Sequence, residues 1–220
     1  MIITWYGHSC FKIQTKPKRG KEEVVIFTDP FEKSIGLKPP QGQADIVTIS
    51  HDHFDHNNAG AFKKSRPFLV DAPGEYSIQD IVIEGIESFH DKNEGEERGR
   101  NTIFTIKSED IKICHLGDLG HKLNEEQVEK IGQADVLMVP VGGVYTIDAK
   151  EAEEVIGQID PKIIIPMHFK VPGLKVDING DEKFSKEFGV KIEEEVPKLV
   201  LKKKDIQDTE NKIVVMSLNK

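Results

Sequence analysis

Three histidines and two aspartates lie within six residues, His51-Asp52-His53-Phe54-Asp55-His56, directly after an apolar run. That run, residues 44–50, has the length and the β-branched content of a buried strand. Packing explains such a polar cluster poorly, because each buried polar group needs a partner. Imidazole and carboxylate without thiolate are ligands for zinc, manganese or iron. The pattern predicts a metal site at the end of a strand, and an adventitious histidine-rich surface turn is the alternative.

The spacing within this hexapeptide divides its ligands into two sets. His51 and His53 are two residues apart in an extended segment, so both side chains can reach one ion from the same side. Asp55 and His56 follow where the chain starts to coil, and we expect them to face a second ion. The next residues, 57–64, are expected to begin a helix.

Composition excludes several classes of protein. The 220 residues fit one domain, 1–220, with enough length to bury a core. A formal net charge of −8 repels a phosphate backbone, so nucleic acid is not an expected partner. The chain has no apolar run near the roughly 20 residues of a spanning helix, and its N-terminus has no signal-peptide pattern. With only Cys10 and Cys114, we expect a cytoplasmic protein without membrane association.

Other apolar runs also end in polar residues. Buried strands are predicted to end at Asp29, at the hexapeptide, at Gly117-Asp118, at Gly142-Gly143 and at His168. Ligands gather at the carboxyl edge of strands in layered α/β folds, so we expect these strand ends to meet at one site. Helices are predicted after Asn124 and Asp148, because each is followed three residues later by Gln or Glu in a capping box.

Two further features remain open from the sequence. His8 follows a glycine at a predicted turn, where it either projects into a cleft or serves as a structural histidine. Residues 92–100 contain no apolar side chain and are predicted to form a mobile surface loop, or a rim or lid of the site that adjoins His90.

The order of these motifs resembles the metallo-β-lactamase superfamily. It is carried by His51-x-His53-x-Asp55-His56, then His90, Gly117-Asp118 and His168. Flanking motifs are similar to the compact branch related to the ascorbate-6-phosphate lactonase: Trp5-Tyr6-Gly7-His8-Ser9, Pro73-Gly74-Glu75-Tyr76 and Pro140-Val141-Gly142-Gly143. The similarity covers nearly the whole chain. It implies an α/β fold, a four-layer αββα sandwich, with metals at one edge of the two sheets.

The resemblance also implies a ligand set for two divalent ions. The first ion would be bound by His51, His53 and His90. The second would be bound by Asp55, His56 and His168, with Asp118 bridging both. His115 competes with His90, although its place on the strand before Asp118 suits an outer role better. Zn²⁺ is the expected metal, and Mn²⁺ and Fe²⁺ are the alternatives.

These residues predict metal-dependent hydrolysis of a small molecule. A hydroxide between the two ions would attack an ester, lactone or phosphoester, while Asp55 orients it and remains a ligand. Asp55 and His8 are the candidate catalytic residues. The leaving group could be protonated by His8, His121 or Tyr145, and the sequence leaves this choice open, although an imidazole is the better proton donor near neutral pH. The alternatives are a nuclease or phosphodiesterase, which the acidic balance disfavours, and a non-catalytic metal-containing binding or regulatory protein. A homo-oligomer is compatible with the sequence.

Overall fold

Two β-sheets pack face to face in this computed structural model, which describes residues 1–17, 22–189 and 195–219. The strands of the first sheet are β1 (Ile2–Gly7), β2 (Cys10–Thr15), β3 (Val24–Thr28), β4 (Ile46–Thr48), β5 (Phe68–Val70) and β12 (Leu199–Val200). Their order is β12-β1-β2-β3-β4-β5. The pairs from β12 to β3 are antiparallel, whereas β3, β4 and β5 run parallel.

The second sheet is mixed in the same way. Its strands are β6 (Gly74–Ile78), β7 (Ile81–Phe89), β8 (Arg100–Ser108), β9 (Ile111–His115), β10 (Val136–Pro140), β11 (Ile163–Met167) and β13 (Lys212–Ile213). Their order is β13-β11-β10-β9-β8-β7-β6. Strands β6 to β9 are antiparallel, and β9, β10, β11 and β13 are parallel.

The hydrophobic core follows from the two-residue period of the strands. Ile13 and Ile26 of the first sheet join Ile83 and Ile106 of the second in one fully buried cluster. Phe27, the next residue after Ile26, belongs to a second cluster with Phe31 and Phe62. Successive side chains of a strand point to opposite faces, so the first sheet is covered by apolar side chains on both faces.

The described part of the chain contains four α-helices, and the first two begin where the capping signals place them. They are α1 (Glu125–Ile131), α2 (Ala149–Ile159), α3 (Glu182–Glu187) and α4 (Lys203–Ile206). Both predicted capping boxes are present, with the Gln127 amide donating to Asn124 at 2.8 Å and the Glu151 amide to Asp148 at 3.0 Å. No helix in the described ranges has the length and apolar character that crossing a membrane requires.

Two secondary-structure elements differ from what the sequence predicts. Residues 57–64 form no α-helix, only a 3₁₀ turn at Ala59–Phe62, because Asn57, Asn58 and Gly60 are weak helix formers. With the 3₁₀ turn Lys33–Ile35, it makes a thin outer layer on the first sheet of the αββα sandwich. The apolar residues in 213–218 predict a closing strand as well, but the structure has only a short one, Lys212–Ile213, which pairs with β11. Beyond it, Met216 forms a single bridge with Val196.

Candidate metal centre

The ends of several strands meet at one edge of the two sheets. Asp29, the hexapeptide, His90, Asp118 and His168 follow β3, β4, β7, β9 and β11 respectively. The imidazole and carboxylate atoms form two groups, and within each group the possible ligand atoms lie within 4.8 Å of one another. One group is His51, His53 and His90; the other is His8, His56, Asp118 and His168. The predicted convergence at the carboxyl edge is therefore confirmed.

Asp118 connects these two groups. Its Oδ2 lies 3.0 Å from Nε2 of His168 and 3.2 Å from Nε2 of His56, both in its own group. The same oxygen lies 3.3 Å from Nε2 of His90 in the other group. A carboxylate oxygen that faces histidines of both groups has the position that a bridging ligand requires.

The turn before Asp118 depends on a glycine. Gly117 has a φ of +57°, and a Cβ there would lie 2.3 Å from Oδ1 of Asn101. That oxygen accepts a hydrogen bond from the Asp118 amide at 2.9 Å, while Nδ2 of Asn101 donates to the Leu116 carbonyl at 2.9 Å. Asn101 thus fixes the backbone on both sides of Gly117, which leaves no room for a side chain at that position.

Asp29 orients two of the histidines from behind. Nδ1 of His56 donates to Oδ2 of Asp29 at 2.9 Å, and Oγ of Ser50 donates to the same oxygen at 2.5 Å. Nδ1 of His51 lies 2.9 Å from Oγ of Ser50. With Nδ1 engaged, Nε2 of His51 is buried without a hydrogen-bond partner among the described residues. A buried, partnerless nitrogen lone pair beside a carboxylate cluster fits a metal ion.

Electrostatics favour a cation beside Asp118. Burial and the neighbouring His56 lower the pKa of His51 to about 2, so this imidazole is neutral. Burial also opposes charge on His56, but Asp118 and Asp29 outweigh it and raise the His56 pKa well above its ordinary value. Burial alone would raise the pKa of Asp118, yet His168 and His56 hold it well below its usual range. The positive charge at this point is supplied either by a proton on His56 or by a metal ion.

His90 and His115 are placed differently in the structure. Nε2 of His115 donates to the Ser9 carbonyl at 2.8 Å, and its Nδ1 accepts from the Gly117 amide at 3.1 Å. Both ring nitrogens of His115 are thus used by the backbone. His90 instead faces Asp118 and lies in the group with His51. Of the two, only His90 has a nitrogen available for a metal.

His8 lies beneath Asp55, fully buried, and does not project into an open cleft. Its Nε2 lies 3.1 Å from Oδ2 of Asp55. Burial and the neighbouring His168 lower the pKa of His8 to about 4, so a neutral ring donates to the carboxylate. Burial raises the pKa of Asp55, but the hydrogen bond from His8 and the nearby His56 lower it more. The catalytic role of His8 stays a prediction.

Three residues of the site have left-handed backbone conformations, which are unusual outside glycine. The φ angles are +54° for His8, +40° for Asp29 and +53° for His168. The carbonyl of His8 accepts from the His168 amide at 3.1 Å and from Nε1 of Trp5 at 3.0 Å. Such backbone strain costs about 1–3 kcal/mol per residue and persists only where the surroundings enforce it.

A cavity of about 750 Å³ opens over the two groups. Its lining includes His53, Asp55, His90, Asp118, His168, Glu97, Arg98, Tyr145 and Lys175. Its volume suits a small molecule. Glu97 and Arg98 come from the charged segment 92–100, which confirms that this segment forms part of the rim. Tyr145 lines the cavity, whereas both ring nitrogens of His121 bind backbone, at Phe89 and Lys122.

Asp91, which was not predicted from the sequence as a functional residue, holds the charged segment in place. The Asp91 carboxylate accepts hydrogen bonds from the amides of Asn93, Gly95, Glu97 and Arg98 at 2.8–3.0 Å. Burial raises the pKa of Asp91, but these four amides lower it to about 2. Glycines at 95 and 99, at φ of +84° and +89°, were the available signal for a tight loop around this carboxylate.

The chain is similar in sequence to known proteins. A family model described as the beta-lactamase superfamily domain matches residues 2–168. A UPF0173 metal-dependent hydrolase of Thermoplasma acidophilum is 31% identical over 193 residues, which are 76% of this chain and 82% of that protein. A second, from Methanocaldococcus jannaschii, is 28% identical over 219 residues, 87% of this chain and 95% of the relative.

A solved structure extends the comparison to the whole fold. It is a crystal structure from Thermotoga maritima, assigned to a Zn-dependent hydrolase of the metallo-beta-lactamase superfamily. The two sequences are 39% identical, the match covers 98% of this chain and 97% of the other, and the TM-score is 0.75. The family match spans most of the chain and includes every candidate ligand from His51 to His168. This chain therefore belongs to the metallo-β-lactamase superfamily of metal-dependent hydrolases.

Proposed function

We propose that this protein binds two divalent metal ions and hydrolyses an ester, lactone or phosphoester bond of a small molecule. One observation carries the proposal: Oδ2 of Asp118 lies within 3.3 Å of histidine nitrogens from both candidate groups. An oxygen shared in this way supports two adjacent ions rather than two separate sites. We include lactones and phosphoesters because the sequence resembles the branch related to the ascorbate-6-phosphate lactonase.

The ligand assignment keeps the two groups, except that Asp55 takes the place of His8, its hydrogen-bond partner, in the second group. His51, His53 and His90 would hold one ion, and Asp55, His56 and His168 the other, with Asp118 between them. Two such ions, when bound, lower the pKa of a water between them and polarise the bond under attack. Zn²⁺ is the metal we propose, because the ligands are mainly imidazole nitrogens; Mn²⁺ and Fe²⁺ are the alternatives.

Asp55 and His8 act as a pair in this proposal. Asp55 lines the cavity, and its Oδ2 lies 3.9 Å from Nε2 of His56, so it reaches both the second group and a bound substrate. We propose that it orients the attacking water. His8 lies behind it and keeps the carboxylate in place through the 3.1 Å hydrogen bond. Among the candidates for protonating the leaving group, Tyr145 is the one that lines the cavity.

The substrate is proposed to be small for two reasons. The cavity holds about 750 Å³, and the chain carries a formal net charge of −8, which disfavours a nucleic acid. A nuclease or phosphodiesterase using the same residues is the second candidate, and a non-catalytic regulatory protein is the third. We also propose a cytoplasmic location without membrane association, and a homo-oligomer remains compatible with this function.

The proposal is tested by metal content and turnover measured on the same samples. Wild-type protein, His53→Ala and Asp118→Asn are analysed for metals and screened on lactones, phosphodiesters, phosphomonoesters and thioesters, with each metal restored. We expect two ions per wild-type chain and, in both variants, loss of metal with at least about 100-fold lower turnover.

Asp52→Asn is the matched control for this test. Asp52 belongs to the hexapeptide, but its carboxylate accepts from Asn57 at 2.5 Å and stands outside both groups. It is expected to keep metal and activity. Full turnover by metal-free wild-type protein would contradict the proposal.

A further inference from the structure

We propose that Arg98 binds a negatively charged group of the substrate, so that the preferred substrates are small molecules carrying a carboxylate or a phosphate. The inference rests on the proposed function in one respect only: it takes the cavity over Asp118 and His168 as the place where the substrate binds. Arg98 lines that cavity together with those two residues.

Arg98 has no acidic partner among the residues that the structure describes. Nearby basic side chains are paired: Lys92 with Glu151, Arg100 with Glu87 and Lys122 with Glu154. Arg98 is half-buried, yet in the described part of the chain no carboxylate lies within ion-pair distance of its guanidinium. This is unexpected where 38 acidic residues outnumber 30 basic ones. A partly buried guanidinium left unpaired inside a cavity is available to an anionic ligand.

The guanidinium of Arg98 is held in a position from which it can bind such a ligand. Cζ of Arg98 lies 5.4 Å from the centroid of the Tyr145 ring, a cation–π contact. Stacking on an aromatic face leaves the N–H groups at the edge of the guanidinium free. Those N–H groups match the two oxygens of a carboxylate or phosphate in a bidentate pair. Lys175 adds a second positive charge to the cavity lining.

The backbone at Arg98 is fixed by hydrogen bonds. Its amide donates to Oδ2 of Asp91 at 2.8 Å, and the same carboxylate holds three other amides of the loop. Asp91 directly follows His90, so the loop that carries Arg98 is fixed to the metal-site side of the cavity. A charged side chain on a fixed loop loses less entropy on binding than one on a mobile loop.

Acidic residues in the same lining do not cancel this charge. Two of them, Asp55 and Asp118, face histidines of the metal centre. The other three, Asp52, Glu97 and Asp177, are exposed to solvent. Exposed carboxylates are well solvated and interact weakly at physiological salt. The half-buried Arg98 is less screened, so an anionic ligand gains more from Arg98 than it loses to these side chains.

A kinetic experiment compares neutral and anionic substrates. Metal-loaded wild-type protein, Arg98→Gln and Arg98→Lys are assayed on 4-nitrophenyl acetate and on 4-nitrophenyl esters whose acyl chain ends in a carboxylate or a phosphonate. For Arg98→Gln we expect KM for the anionic esters to rise about 10–100-fold, the range of one charge-assisted pair, with the neutral ester unchanged. Arg98→Lys should fall between wild type and Arg98→Gln, and the ester more affected identifies carboxylate or phosphate.

Arg100→Gln is the matched control, because Arg100 lies two residues away, is 81% exposed and pairs with Glu87 outside the cavity lining. It should leave every KM unchanged. If KM of Arg98→Gln rises equally for neutral and anionic esters, or rises for neither, the inference is overturned while the proposed hydrolase function stands.

A binding experiment separates the two proposals if no ester is hydrolysed. Calorimetry measures the affinity of metal-loaded wild type, Arg98→Gln and Arg100→Gln for benzoate, phenylphosphonate and benzamide. A loss of at least about 10-fold for the anions in Arg98→Gln alone, with benzamide unchanged, supports the inference even where hydrolysis fails. Equal anion affinity in all three proteins overturns it, since the anions would then bind elsewhere in the site.

Discussion

Asp29 determines the orientation of two histidines without belonging to either candidate metal group. Its carboxylate accepts from Nδ1 of His56 and from Oγ of Ser50, and Ser50 in turn contacts His51. Partners of this kind fix the tautomer and direction of an imidazole ligand. The sequence places Asp29 at the end of a strand, where a carboxylate either orients a ligand or caps the turn.

We predict that Asp29→Asn weakens metal binding about 10–100-fold. An asparagine in this place presents one acceptor oxygen and an NH₂ group where the carboxylate accepts from His56, from Ser50 and from the Ser50 amide. Competition against a chelator of known affinity measures the change. Asp52→Asn serves as the control with wild-type affinity, and an unchanged affinity in Asp29→Asn would show that the histidines need no such support.

Site residues that belong to short motifs could be predicted from the sequence. Site residues whose position depends on an unusual backbone conformation could not. Most candidate metal ligands come directly after a strand, in an order that can be recognised from the sequence: the hexapeptide, His90, Asp118 and His168. The contact of His8 with Asp55 depends on a φ of +54° at His8, which no local pattern specifies. Nothing in the sequence distinguishes Arg98 either, because it is one of several charged residues in a segment without apolar side chains.

At the level of elements, the loop after β7 is organised by one carboxylate. Asp91 accepts four backbone hydrogen bonds, from residues that the sequence presented only as a charged run. Strands and capped helices were predictable because their periods and caps recur in the sequence. This loop was not, because its hydrogen bonds come from backbone amides of any residue type.

We predict that Asp91→Ala releases this loop while both sheets stay folded. Four amides lose a charged acceptor. A decrease of about 1.5 kcal/mol in the free energy of local opening corresponds to roughly 10-fold faster amide hydrogen exchange. Hydrogen exchange at the amides of residues 93, 95, 97 and 98 is the measurement, with amides of β10 as the internal reference. Asp80→Ala, in the exposed turn between β6 and β7, is the comparison variant, and equal protection of the loop in all three proteins would contradict the prediction.

For the whole molecule, the question is whether the metals hold the fold together or only complete the site. The main hydrophobic cluster runs between the sheets and continues to α2, with Ile26, Ile106 and Val155 all fully buried. None of these contacts passes through the candidate ligands. Small zinc modules differ, because there the metal replaces a core and the metal-free chain unfolds.

We therefore predict that removing the metals lowers the melting temperature but leaves a folded protein. A ligand that binds only the native state and is present at 1,000 times its Kd adds about 4 kcal/mol to the free energy of unfolding. For a chain of this size that corresponds to roughly 8–16 °C. Calorimetry with Zn²⁺ and with chelator measures the shift, and far-UV circular dichroism below the transition reports the fold. Asp118→Asn, which removes the shared carboxylate charge, should lose most of the Zn²⁺-dependent shift; a metal-free wild type that is unfolded at 25 °C would show instead that the ions are part of the core.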